Sequence, residues 1–364
     1  MNRHVNSVSG RLSLRAPQRD SLEILARVAE IVPLSKDRDV QQALATIQSE
    51  YPGVTDFERE FPSLCFALAT GVGKTRLMGA FVTYLHLAKG IRHFFVLAPN
   101  LTIYNKLIAD FTPGAPKYVF QGVAEFAQNP PEVITGDNYE SGRGVRDTRS
   151  GTQYDAFGHR SVHINIFNIS KINSEVRGGN APRIKRLSEY IGESYFDYLA
   201  GLKDLVLIMD ESHRYRASAG VRAINELKPV LGLELTATPQ LEMAGGRVAR
   251  FKNIIYDYPL SRALTDGFVK QPAVATRENF NAAAYSEEAL ERLKLKDGVR
   301  IHENVKVELE TYALQNGVAR VKPFMLVIAR DTEHAGRLQA QIEQDDFFGG
   351  RYTGRVITVH SNIQ

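Results

Sequence analysis

Residues 67–75 read ALATGVGKT: two glycines one residue apart, then a lysine and a threonine, directly behind the apolar run SLCFALA. The chemistry that needs this order is the binding of a polyphosphate. Gly71 and Gly73 let successive backbone amides turn inward around the phosphates, and the helix that follows adds the positive end of its dipole. Lys74 can reach the β- and γ-phosphates, and the Thr75 hydroxyl can take a coordination position on Mg²⁺, with Thr70 and Val72 completing the loop. A glycine-softened turn with an incidental lysine is the bland alternative, and the strand before and helix after speak against it. The strict pattern GxxxxGK[ST] asks for glycine at position 68, where this chain has Leu68, so the looser TGxGKT is what remains.

A magnesium nucleotide needs a second acidic anchor on a neighbouring strand, and LVLIMDESHR (205–214) supplies one. Asp210 falls at the C-terminal end of an apolar strand, where ligands bind in open α/β sheets. Its expected role is to hold Mg²⁺ through water, while Glu211 orients or deprotonates the attacking water. Alone, an acidic pair after an apolar strand is most often a solvated strand end; beside a phosphate loop it reads as catalytic. In APNLTIYNKL (98–107), Asn100 and Thr102 lie at a strand-to-helix turn and fit either of two roles, contacts to a nucleic-acid phosphate or a plain helix cap. Thr236 and Thr238 in LTATP (235–239) are ordinary β-formers if taken by themselves.

ATGVGKT, DESH and LTATP, in this order, resemble motifs I, II and III of superfamily 2 helicases. The resemblance makes Asp210, Glu211 and His213 a DExH box acting with Lys74. It makes Thr236 and Thr238 the residues that couple nucleotide state to a nucleic-acid track, and PNLTIYNKL the motif Ia that meets the backbone. Gln18, in LRAPQRDSL, matches a glutamine that reads adenine, which implies ATP with Mg²⁺. PNLTIYNKL, ITGD, IFNISKIN, DESHRY, LTATP and YDYPLSRALTDGFVKQP together resemble the restriction subunit of type III restriction enzymes and its relatives, from about residue 11 onward. Ser212 departs from the proline common in that subunit's DEPH box. The implied activity is an ATP-dependent DNA translocase or helicase motor serving restriction or a related defence system. Duplex DNA is the implied track, with RNA as the alternative, and a modification or specificity subunit the implied partner. A nucleotide-gated binding module with little turnover stays open beside these.

These residues need a scaffold, and apolar runs of four to six residues alternating with helical periodicity predict one: a parallel sheet covered by helices, a RecA-like α/β fold. Strands are expected at 63–69, 93–99, 163–168, 205–210 and 231–237, and the helix TRLMGAFVTYLHLAK is expected to stop at Gly90. The expected layout is an ATP-binding lobe over 1–250, a connector with a helical segment over 251–322, and the start of a second RecA-like lobe over 323–364, with strands at 324–330 and 355–361. Residues 129–160, rich in Gly, Asp, Ser and Arg, read as an insertion of hairpin or loop character. Motifs V and VI, with their arginine fingers, would lie beyond Gln364, so slow turnover is expected of the chain as it stands. Arg143, Arg146 and Arg149 in the insertion, and Arg214 and Arg216 after DESH, could line a nucleic-acid track; a solvated loop explains the first three as well.

The 364 residues are 43% hydrophobic and 24% charged with net charge +4, a soluble globular composition that permits a polyanionic partner without demanding one. No apolar run is long enough to cross a bilayer, and MNRHVNSVSGRLSLR lacks the apolar core of a secretory signal. With Cys65 as the single cysteine no internal disulfide can form, and a reducing cytoplasm is the expected compartment.

Overall fold

The computed structural model describes residues 2–142, 144–145, 161–170, 183–188, 192–216, 218–242 and 246–359. The chain divides into two units, 1–272 and 273–364.

The first unit is built on seven parallel strands: β1 (Ser63–Leu68), β2 (His93–Ala98), β3 (Glu132–Thr135), β4 (His163–Asn168), β7 (Leu205–Asp210), β8 (Leu231–Thr236) and β11 (Ile254–Tyr258). Their order across the sheet is β11-β1-β8-β7-β2-β4-β3. Two small antiparallel hairpins, β5 (Leu187–Ser188) with β6 (Glu193–Ser194) and β9 (Gln240–Glu242) with β10 (Val248–Arg250), lie outside it. This is the RecA-like α/β arrangement that the alternating pattern predicts.

The continuous apolar runs follow from burial on both faces. Along β7, Val206 and Ile208 enter one core cluster, while Leu205, Leu207 and Met209 enter another; along β2, Phe94 and Val96 divide from Phe95 and Leu97 in the same way. Helices α1 (Arg3–Arg11), α2 (Ala16–Ile31), α3 (Val40–Glu50), α4 (Lys74–Lys89), α5 (Leu101–Phe111) and the short α6 (Ala124–Gln128) supply residues to the first cluster. Helices α7 (Tyr195–Gly201) and α8 (Ser218–Glu226) supply the second. As expected, α4 closes at Gly90, whose φ of 70° lets its amide return to the His86 carbonyl.

Three sequence expectations need correction. The segment 129–160 is not wholly an insertion, because EVIT within it forms β3 and pairs in parallel with β4; its β-branched run was hidden among polar neighbours. The sheet also does not stop before 250: β11 extends its edge beside β1, and α9 (Leu260–Thr265) follows.

The third correction concerns the second unit. Its described residues hold two helices, α10 (Glu287–Asn316) and α11 (Thr332–Ile342), and no strand. Residues 324–329 form no regular element, with Met325 and Ala329 packed on a small core of Leu295, Val299, Leu338, Ile342 and Phe347, while Phe324, Leu326 and Ile328 are exposed. The period of two is thus present, but no neighbouring strand takes the backbone hydrogen bonds that define a ladder. Residues 355–359 behave alike, with Val356 inward and Ile357 and Val359 exposed; His360 and Ser361 of that expected strand lie outside the described residues.

Candidate active site

The site gathers at the C-terminal ends of β1, β8 and β7, which are adjacent in that order. After β1 the chain enters the glycine loop with Gly71 at φ 86° and Gly73 at φ 100°, both left-handed values that favour glycine. Gly73 is the N-cap of α4 and offers no side chain to the amides of the first turn. The backbone conformation requires glycine here, and a methyl group on Gly73 would also lie 2.6 Å from Gln18 Nε2, so that side chain would have to shift.

That close neighbour explains where Gln18 sits. It is buried, and its Nε2 donates to the Gly73 carbonyl at 2.8 Å while its Oε1 accepts from the Arg15 amide at 2.8 Å. Arg15 donates to the Gly71 carbonyl at 2.9 Å and stacks its guanidinium over Phe268. The two side chains therefore hold the glycine loop from beneath. Arg15 carries no sequence signal of its own beyond lying three residues before Gln18.

Lys74 Nζ lies 3.2 Å from Glu211 Oε1, joining the glycine loop to the DESH segment. Asp210, at the tip of β7, is 8% exposed. Burial, and then the neighbouring Glu211, push its carboxyl up to about 6, against the opposing pull of Lys74 and Lys106. Glu211 itself adopts φ 49°, a left-handed value rare for a residue with a side chain, and donates its amide to Asp210 Oδ1 at 3.1 Å. Lys106 was not singled out in the sequence. It projects from α5 to within 3.3 Å of Thr75 Oγ1 and 3.6 Å of Asp110. Its one legible signal was its place four residues after Thr102, on the exposed side of the helix.

His213 couples DESH to TATP. Its Nδ1 lies 2.9 Å from Thr236 Oγ1 and 3.2 Å from Thr238 Oγ1, and Thr238 donates its amide to Thr236 Oγ1 at 3.1 Å. Burial lowers the His213 imidazole below its ordinary range, which Glu211 at 3.6 Å opposes. Asn100 caps α5, accepting from the Ile103 amide at 2.9 Å, and Thr102 lies exposed on its first turn.

Among the expected track arginines, Arg214 is exposed, but Arg216 is not available to a ligand. Its guanidinium lies against Glu58 at 2.7 Å and Glu234 at 2.5 Å and stacks over Phe251. A buried carboxylate claims it, which no local pattern could announce. Arg143, Arg146 and Arg149 lie outside the described residues.

The donor set fits a magnesium nucleotide: a loop with two glycines in left-handed conformation, a hydroxyl at Thr75, and the buried Asp210 beside the partly buried Glu211. Among the described residues no three His, Cys, Asp or Glu side chains converge on one point, so a metal would take its remaining oxygens from phosphate and water.

The Asp210 shift makes a prediction about stability. Because the folded value lies above the ordinary 3.8, the protonated form favours the fold; that contribution is full below about pH 3.8 and is lost as pH rises through about 6. Asp210→Asn, which mimics the neutral form, should therefore be more stable than wild type at pH 8, by up to about 3 kcal/mol. The difference should vanish below about pH 4. Urea unfolding of both proteins across that range checks it, and equal stabilities at pH 8 would show that Asp210 carries no such strain.

Comparison with known proteins gives the following. The family model described as "Type III restriction enzyme, res subunit" matches residues 12–241. No curated protein matches the chain. Among solved structures, the chain is similar to the ATP-dependent Type ISP restriction-modification enzyme LlaBIII bound to DNA, at 14% identity and TM-score 0.37 over 63% of this chain and 16% of that one. It is similar also to a nuclease-deletion mutant of the Type ISP restriction-modification enzyme LlaGI in complex with a DNA substrate mimic, at 14% identity and TM-score 0.36 over 64% of this chain and 18% of that one. The chain spans less than one fifth of the length of either.

Proposed function

The chain belongs to the family of the type III restriction enzyme res subunit, and from that premise we propose that it is the nucleotide-binding part of an ATP-driven motor on duplex DNA. The observation that carries this reading is the convergence of the glycine loop with Asp210 and Glu211 across β1, β8 and β7, closed by the Lys74–Glu211 contact.

In this reading the loop amides and Lys74 hold the β- and γ-phosphates, and Thr75 and Asp210 hold Mg²⁺. The bound metal would neutralise charge on the phosphates and on the buried Asp210. Glu211, released from Lys74 when phosphate takes that lysine, accepts a proton from the attacking water. Lys106 brings a second positive charge to the Thr75 side of the site. Gln18 braces the loop, and its second Nε2 hydrogen and second Oε1 lone pair are the groups that would face adenine. His213, bonded to both Thr236 and Thr238, passes a change at Glu211 into the turn after β8. Thr102 on α5 and that turn supply donors to a DNA backbone, and a modification or specificity subunit is the partner that would confer site choice.

Glu211→Gln separates binding from chemistry, since the amide keeps the shape but cannot take the proton. Single-turnover measurements with protein in excess should show ATP retained and hydrolysis slowed about a hundredfold or more. Wild-type turnover from that variant would remove Glu211 from the role. In the same assay duplex DNA should accelerate the wild type; acceleration by RNA alone would assign the other track.

A further inference from the structure

At the opposite end of the strands from the glycine loop, where the chain enters β1 and β8, lies a cavity of about 250 Å³ whose walls include Lys36, Arg38, Lys228, Glu60, Asn225 and Phe61. Three cations share its walls with one carboxylate. Two carboxylates nearby have their oxygens engaged by other donors, although Asp204 still acts on Lys36 through its charge. Asp39 caps α3 by accepting from the amides of Gln41 and Gln42, and Asp204 is bound to His93 and to the Arg92 amide.

The cations themselves are poorly compensated. Lys36 donates to the Ala200 carbonyl and Arg38 to the Pro33 and Ser35 carbonyls, neutral acceptors all, while the buried Arg38 Nε has no hydrogen-bond partner. Burial lowers Lys36, and Lys228 lowers it further, against the smaller pull of Asp204; burial alone lowers Arg38 to about 10. Lys228 is held there by a left-handed backbone, φ 46°, a conformation that costs energy in a residue with a side chain. Cations brought together in a partly buried cavity repel one another, and a doubly charged oxyanion removes that repulsion and matches the fork of an arginine.

We propose that this cavity is an oxyanion site that takes a phosphoryl group, separate from the glycine loop and independent of what that loop binds. The group could arrive free, as pyrophosphate, or as the 5′-phosphate of a DNA end.

The test titrates pyrophosphate by calorimetry into Lys74→Ala, where the glycine loop is disabled, and into the same protein carrying Lys36→Met and Lys228→Ala. Binding should persist in the first and weaken tenfold or more in the second. Absent binding in the first, for both pyrophosphate and the DNA end, or equal affinity in the two, overturns the proposal. Glu60→Gln provides a second reading at an exposed position that folding does not depend on: removal of the single lining carboxylate should tighten binding about threefold, and unchanged or weaker affinity counts against the site. A duplex with a 5′-phosphate compared with the same duplex lacking it identifies the source. Preference for the phosphorylated end, lost with Lys36→Met and Lys228→Ala, assigns the DNA end; pyrophosphate binding without that preference assigns the free oxyanion.

Discussion

Lys74→Ala is expected to abolish measurable Mg²⁺-ATP binding. The lysine is the one side chain of the glycine loop able to meet phosphate charge directly, and a hydrogen bond between charged groups contributes about 1.5–3 kcal/mol. Losing two of them, one to each of the outer phosphates, weakens binding by about a hundredfold at the least, since each 1.4 kcal/mol is about tenfold. The fold should tolerate the change. The only ion pair removed is that to Glu211, a partly exposed contact at 3.2 Å, and such pairs contribute at most about 1 kcal/mol. A melting temperature close to wild type together with lost binding is the expected pair of results. Unchanged affinity in the folded variant would refute the nucleotide assignment.

Glu234→Ala is expected to have the largest effect on stability. Glu234 lies wholly buried on β8, where Arg59 Nε approaches it at 3.4 Å and Arg216 at 2.5 Å, and where Ser63 and Asn253 donate to it at 2.8 and 3.1 Å. Burial alone would raise its carboxyl; Arg59 and Arg216, with Ser63 and Asn253, outweigh burial and hold it below the ordinary range. Removing it leaves the buried Arg59 without its carboxylate and Arg216 with Glu58 alone, at a cost of about 3–5 kcal/mol, a large part of the roughly 5–15 kcal/mol that stabilises a typical domain. The sign of the pH dependence follows from the lowered folded value. The stability that Glu234 contributes is full above its unfolded value and is lost as pH falls through the folded one, so the variant should lack that acid limb. Denaturant unfolding of both proteins at neutral and acid pH measures the gap; less than about 1 kcal/mol at neutral pH would show that water or another anion compensates the arginines.

The Glu234 cluster also marks the limit of what local sequence carries. Glu234 stands in LGLELTA as a lone charge in an apolar strand, and Arg216 stands three residues past His213 as one more basic residue after DESH. Read locally, the first looks like a solvent-facing strand position and the second like a phosphate contact. They are neither, because β7 and β8 are adjacent and place the turn after DESH against the buried face of β8. By contrast, the glycine loop and its helix were legible in nine consecutive residues, since left-handed glycines, a helix start and its Lys-Thr are local properties.

The sequence by itself determined the strand-and-helix rhythm, the glycine loop, the acidic pair, and the ends of α4, because each depends on side-chain periodicity or on the conformational freedom of one or two residues. Tertiary structure alone decided the strand order that sets β8 between β1 and β7, the recruitment of β3 and β11 to the edges of the sheet, the bonds of His213 to Thr236 and Thr238, and the approach of Gln18 and Lys106 to the loop. It also decided that 324–329 and 355–359 stay unpaired. A strand's pattern reports which face is apolar, but a ladder needs a partner at hydrogen-bonding distance, and partners are chosen by the packing of residues far apart in the chain.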